Sequence, residues 1–379
     1  MRVVVLGAGI VGSSVAYFAA RAGAAVTLID KEYPGSGASS ASFAWTNSNG
    51  KPPADYHALN VRGIEGYSLL AAELGKEPWM HRSGSIEWRK GTDADSLAQR
   101  IAELQDLDYP IREISVDEAV ELEPGIDANE LADALIALSP GEGWVDPVVY
   151  CGWLVDRAVR QHGLSLQTGT IVTGVTARQG RVSGVTCADG RHVEADIVIG
   201  CLGTSVNDLL RDTDFTLPLV RNVGYLAFTR PAPVMVSRPL HGPDIDIRPD
   251  GAGRLLLRRD RLDEMPRDTL DPHPDGPTAQ SVIARAREVL PQLRHVPVEA
   301  VRITERPIPG DGLSAVGPID NLTGLYIAVT HSGVTLAPII GDLVARETVL
   351  GETCPELASF RPGRFSSQAI SLKRYKGGM

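Results

Sequence analysis

The chain opens with MRVVVLGAGIVGSSVAYFAARAGAAVTLID, a stretch that leaves little freedom of fold. Val3, Val4, Val5 and Leu6 form the unbroken apolar run of a strand buried on both faces. Gly7, Gly9 and Gly12 follow at the G-x-G-x-x-G spacing, a helix is expected after them, and Val26–Ile29 reads as a second strand ending on Asp30. The first glycine permits a tight turn. The second lets the backbone approach a pyrophosphate, and the third lets helix and strand pack closely. Phosphates placed there meet the free N–H groups of Ile10 and Val11 and the positive end of a helix dipole, while Asp30 is positioned to accept ribose hydroxyls. The motif implies a dinucleotide and does not separate NAD from FAD.

Length sets the organisation. A chain of 379 residues is too long for one simple core and implies two domains. A net charge of −10 argues against a nucleic-acid surface, which requires clustered positive charge. Cys151, Cys187, Cys201 and Cys354 are scattered without metal-like or redox-like spacing and read as reduced, structural residues of a cytoplasmic protein. No metal site is expected. No apolar run approaches a membrane span, and the first apolar segment breaks at Gly7 as a strand should, not as a secretory signal does.

After Asp30 the pattern changes. Residues 35–53, GSGASSASFAWTNSNGKPP, are small and polar and read as a loop running beside a ligand. A helix is expected over 56–74, a strand of another sheet over 81–90, helical segments between 97 and 125, and a helix over 148–162. Residues 164–200 read as short strands joined by QG and DG turns. Near the end, ERPIPGDGLSAVGP (305–318) precedes GLYIAVTHSGVTLAPIIGDLVARETVLG (324–351), a strand followed by a glycine-led helix. The N–H groups of Gly333, Val334 and Thr335 at that helix start would face an anionic partner, or the start is simply capped by Ser332 or Thr335.

Agreement in order and spacing at both ends resembles the FAD-dependent D-amino-acid oxidase superfamily, in particular its glycine oxidase and sarcosine oxidase branch. The resemblance covers most of the chain. It implies an α/β fold in which a Rossmann-like FAD-binding domain (1–80, 145–220 and 300–379) is interleaved with a mixed-sheet substrate-binding domain (81–144 and 221–299). It places Val172 beside the adenine, Gly203 in a turn near the nucleotide, and Lys31, Ser39 and Ser40 in the cofactor set. Gly333–Thr335 would face the flavin edge on which negative charge develops.

For substrate the resemblance points to Arg306, whose planar guanidinium suits a bidentate grip on a carboxylate; the plain alternative is a surface ion pair with Glu305 or Asp311. Phe43, Ala44 and Trp45 stand where glycine-oxidising relatives have smaller or more flexible residues. Trp45 walls the pocket or fills core. His241 and Asp246 stand in the 240–255 segment where pocket aromatics are expected, the acid either facing a cationic amine or solvated on its strand. His331 stands near a second pocket arginine of glycine oxidase, tuning charge or satisfying a backbone carbonyl. Together these departures disfavour glycine and fit a larger N-substituted glycine or other amino acid. Ile303, Thr304 and Glu305 stand shortly before the Asp-Gly turn, where sarcosine oxidase relatives carry a cysteine, and no histidine occurs in the early loop before His57, so FAD is expected to bind noncovalently.

The reaction implied is oxidation of a C–N bond by hydride transfer to FAD, with imine hydrolysis releasing a 2-oxo acid such as glyoxylate and an amine, and oxygen as acceptor. The alternatives are a D-amino-acid or amine dehydrogenase with another acceptor, a 2-hydroxy-acid oxidoreductase, or a noncatalytic flavin subunit. Oligomeric state, a homo-oligomer included, stays open.

Overall fold

A computed structural model describes residues 1–75 and 78–366. Its nucleotide half is a six-stranded sheet in the order Ala315–Pro318, Leu325–Val329, Ile197–Gly200, Arg2–Leu6, Ala25–Ile29, Ser165–Gln167. All neighbours run parallel except the first pair. Such strands are buried on both faces, and Val3–Leu6 are no more than 1% exposed. The sheet is therefore stitched from both ends of the chain and from its middle.

Three helices over this sheet fix the geometry of everything below. The first, Ile10–Arg21, and the last, Gly333–Thr348, lie side by side and run the same way. A Cβ on Gly333 would touch Val11 at 3.5 Å, and one on Gly341 would meet the Ser14 and Phe18 side chains at 2.9 and 2.8 Å. The helix Ala54–Leu74 packs along the last one through Gly63 and Gly66, where a Cβ would come within 2.3 Å of the Thr335 carbonyl and 2.9 Å of Pro338. Glycine thus sets the interhelical spacing.

The second half is an eight-stranded sheet in the order Val298–Glu305, Val223–Thr229, Leu255–Arg258, Ile245–Pro249, Leu240–Gly242, Ser85–Arg89, Leu135–Ser139, Arg112–Glu113. Its pairs are antiparallel except Leu240–Gly242 with Ser85–Arg89. Alternation along Val223–Thr229 shows both faces at work. Val223, Tyr225 and Ala227 join the cluster that includes Val282, Ile283 and Ala286 of the helix Pro277–Val289. Leu226 and Phe228 face the other way and cluster with Phe43 and Trp45. The loop read as lying beside a ligand is thereby clamped onto the second sheet. Val298–Glu305 belongs to this sheet and crosses position 300, where the sequence reading starts its last nucleotide-binding segment.

Most expected elements occur within a few residues: Ala54–Leu74, Ser85–Arg89, Thr92–Asp106, Val116–Leu122 and Pro147–His162, and five short strands between 165 and 200. The 240–255 segment opens as a tight hairpin, Leu240–Gly242 against Ile245–Pro249. Asp244 at its tip adopts φ 57°, a conformation Asp tolerates in turns. All four cysteines are buried free thiols.

Two glycine substitutions test how the helices are spaced. Both would gain about 1 kcal/mol of intrinsic helix propensity. Gly63→Ala places its Cβ against a backbone carbonyl that cannot yield, so its melting temperature is expected to fall by several degrees. Gly152 sits exposed in its helix with nothing within 4 Å of a Cβ, so Gly152→Ala is expected to melt slightly higher than the parent. Differential scanning calorimetry reads both, and a stabilised Gly63→Ala would contradict the packing described.

Candidate active site

A cavity of about 900 Å³ lies where the two helix starts meet the ends of the parallel strands. On one side Gly7 turns at φ +93°, and a Cβ there would lie 2.5 Å from the Cys201 carbonyl. A Cβ on Gly12 would fall 1.8 Å from the Gly7 carbonyl, so Gly12 seats the helix and does not itself line the cavity. The first bond of this helix runs from Ser13 N to Gly9 O (2.8 Å), which leaves the preceding amides outside the ladder. Ser39 Oγ accepts from Ile10 N at 3.0 Å. Asp30 closes the turn: Oδ2 accepts from Ala8 N (2.6 Å) and Oδ1 from Glu32 N (2.8 Å).

The last helix presents the same chemistry. Its first bond runs from Leu336 N to Ser332 O, so the amides of Gly333, Val334 and Thr335 precede it. No side chain caps it: Ser332 Oγ accepts from Tyr56 Oη at 3.0 Å, and Thr335 Oγ1 donates to the Trp45 carbonyl at 3.3 Å. Neither helix carries an acid in its first turn. Two uncompensated positive helix ends therefore converge on one cavity. An elongated anion with a second electron-rich end fits these residues.

Of the expected cofactor residues, Gly7, Gly9, Ile10, Val11, Asp30, Lys31, Ser39, Val172, Gly203, Gly333, Val334 and Thr335 line this cavity. Ser40 does not. Its hydroxyl donates to Gly37 O (3.0 Å) and its carbonyl accepts from Arg302, so it holds the loop to the strand Val298–Glu305.

Of the expected substrate residues, Arg306, His331 and Trp45 are brought together in the cavity wall. Arg306 pairs with neither Glu305 nor Asp311. Its Nη1 meets Asp263 Oδ2 at 2.8 Å and donates to Asn222 Oδ1 at 3.1 Å, while Asp311 is taken by Arg364. His331 is kept neutral: burial, then the positive charges of Arg306, Lys51 and Arg258, push its pKa well below the usual value. Trp45 is both wall and core, its Nε1 donating to Glu142 Oε2 at 2.8 Å. Burial raises the Glu142 carboxyl against hydrogen bonds from Ser85 and Tyr109.

His241 and Asp246 require correction. Neither lines the cavity; both are buried in the sheet behind Trp45, whose ring lies 4.0 Å from that of His241. They bond each other, Nδ1 to Oδ1 at 2.8 Å. Burial would raise the Asp246 carboxyl, but His241 and then Arg258 hold it below the ordinary range. The hairpin explains the misplacement, because its reversal at Asp244 turns both side chains against each other. A buried chain results: His241, Asp246, Arg258, Asp263, Arg306, with the last three contacts at 2.8, 2.6 and 2.8 Å. Arg306 is held from behind by Asp263 of the short helix Asp260–Asp263, itself tied through Arg258 and Asp246 to the sheet.

Sequence reasoning missed Lys51, which lines the cavity, and the acid that holds Arg306, Asp263. A lysine inside an otherwise small-residue loop was the available signal for the first. Asp263 is set beside Arg306 by tertiary contact alone and had none.

Residues 2–347 match the family model described as FAD dependent oxidoreductase. A glycine oxidase of Pseudomonas aeruginosa is 26% identical over 365 residues, 92% of this chain and 96% of the relative. The solved glycine oxidase of Geobacillus kaustophilus superposes with a TM-score of 0.84 at 23% identity, covering 96% of this chain and 99% of that one. The iminodiacetate oxidase of Chelativorans sp. BNC1 gives 0.81 at 23% identity, covering 95% and 99%.

Removing the charge that backs Arg306 should be costly, since one buried carboxylate oxygen of Asp263 is shared by the guanidinium groups of Arg258 and Arg306. Asp263→Asn is expected to lose about 3 kcal/mol in urea unfolding followed by tryptophan fluorescence. A change below 1 kcal/mol would mean that the pairs contribute nothing.

Proposed function

The chain belongs to the family of FAD-dependent oxidoreductases, and from that premise we propose that it oxidises the C–N bond of an N-substituted glycine or other amino acid larger than glycine, with oxygen as acceptor. The observation that carries this reading is Arg306 in the wall of one cavity with neutral His331, Trp45 and the two helix starts. The relatives named glycine oxidase and iminodiacetate oxidase support the same class.

Gly7–Val11 would hold the pyrophosphate, Asp30 a ribose, Val172 the adenine, and Gly333–Thr335 the pyrimidine edge of the flavin. FAD, when bound, supplies a two-electron acceptor for hydride. The rest falls to the chain's own groups. Arg306 grips the substrate carboxylate and fixes the Cα–H direction, which for hydride transfer counts for more than a strong acid or base. Trp45 and Phe43 wall the site against water, and neutral His331 adds no charge where an imine forms. Hydrolysis of that imine releases a 2-oxo acid, glyoxylate for an N-substituted glycine, and an amine. The cavity's cysteine, Cys201, has its thiol pushed up to about 12 by burial, which disfavours it as a thiolate for flavin attachment and supports noncovalent binding. Free buried thiols suit a reducing compartment such as the cytoplasm.

Anaerobic mixing of the yellow holoenzyme with glycine, sarcosine, bulkier N-carboxymethyl amines, D-amino acids and 2-hydroxy acids tests the proposal. Bleaching by N-substituted glycines and not by hydroxy acids is expected, with colour returning in air. A flavin that none of these reduces, or that only hydroxy acids reduce, would overturn it. Arg306→Ala should lower kcat/KM about 100-fold, from loss of a charge-assisted bidentate contact, while FAD content stays unchanged.

A further inference from the structure

We propose that Lys51 is the general base that takes the proton from the substrate nitrogen before hydride leaves its neighbouring carbon. The inference rests on the amine-oxidising reading above and assigns a residue to a step that reading needs, because an ammonium has no lone pair to form the C=N bond.

Geometry carries it. Lys51 lies on the clamped loop and lines the same cavity as Arg306 and His331. Its Nζ donates to the Asn47 carbonyl at 2.7 Å and to Asn60 Oδ1 at 3.0 Å. A tetrahedral amine that commits two N–H bonds to these acceptors keeps one further position, the lone pair when neutral or the third N–H when charged. Among the described residues no carboxylate stands within ion-pair distance of Nζ, so nothing holds it in the charged form by direct contact. A structural lysine in a protein interior is normally paired with an acid. This one is held by two neutral oxygens, and those oxygens fix its position without fixing its proton.

The surroundings set the proton affinity. Burial pulls the ammonium down to about 7, opposed only by the more distant charge of Glu142. On the helix that follows, His57 is itself lowered by burial and by Lys51, and Tyr56 is raised by burial. His331 carries no charge. Arg100, whose stem lies 3.6 Å from where a Gly50 Cβ would be, is bound to Glu87. The lysine therefore changes charge near neutral pH, where a general base works best.

The step balances simply. An N–H bond of the substrate ammonium breaks, an N–H bond forms on Lys51 Nζ, and no electrons are transferred. The freed lone pair then becomes the second bond of the imine as hydride departs from carbon, and Lys51 returns its proton to solvent after turnover.

The test uses holoenzyme and whichever panel amine bleaches the flavin fastest, so failure of the amine-oxidising reading shows first as the absence of any such amine. Stopped-flow reduction from pH 5.5 to 9 is expected to show a limiting rate that rises through an ionisation near 7 in the parent. Lys51→Met and Lys51→Arg should lose that ionisation and be about 100-fold slower at pH 7.5, recovering only as the substrate amine deprotonates by itself. Trace acetylation of the parent, read by peptide mass spectrometry against Lys31 and Lys90, should give half-maximal reactivity of Lys51 near pH 7. Bleaching with an unchanged pH profile in both variants would overturn the assignment. So would a Lys51 reactive only near pH 10. A variant that raises the dissociation constant alone, most strongly below pH 7, would make Lys51 an anion anchor and not a base.

Discussion

Two helix N-termini meeting over one sheet are the constraint on which the rest of the structure depends. Each peptide dipole is small, but aligned along Ile10–Arg21 and Gly333–Thr348 they place roughly half a positive charge at each start, with three amides outside the hydrogen-bond ladder. In water such ends would simply be solvated. Here glycines at 7, 12 and 341 bring the backbones close enough that both ends open into the same cavity, with no acid in either first turn to neutralise them. A pyrophosphate suits one and a flavin that gains negative charge on reduction suits the other.

The second sheet supplies what the helices cannot. It contributes no helix end to the cavity, but it clamps the loop carrying Phe43, Trp45 and Lys51, and the segments flanking its strands anchor Arg306 through Asp263 and Asn222. Buried ion pairs add little net stability, since desolvation consumes most of the Coulomb gain. Their contribution is geometric: Arg258 and Asp263 leave Arg306 few alternative rotamers, and orientation is what hydride transfer requires.

The first motif was legible because its physics is local. A buried strand, three glycines, a helix and an acid each announce themselves within a few residues, and the Gly333 helix start repeats the signal. The hairpin at 240–249 carried a local mark, Gly242-Pro243-Asp244 between two short strands, which the likeness of the segment to a pocket strand overrode. That single misjudged turn put His241 and Asp246 in the pocket instead of behind Trp45. Arg306 was found through its Arg-Pro context, whereas its partner Asp263 lies 43 positions earlier on another element and carries no sequence mark of the pairing. Lys51 lies in a loop that lines the cavity, yet a lysine looks like solvent-facing charge until its surroundings are known.

The ionisation of the reduced flavin in the purified holoenzyme tests the central claim most directly. If the Gly333 helix start faces the pyrimidine edge, absorbance after anaerobic reduction should show the anionic form persisting well below the pH at which free reduced flavin takes up its proton. Protonation at the same pH as free flavin, or higher, would contradict the convergence of the two helix ends on the cofactor.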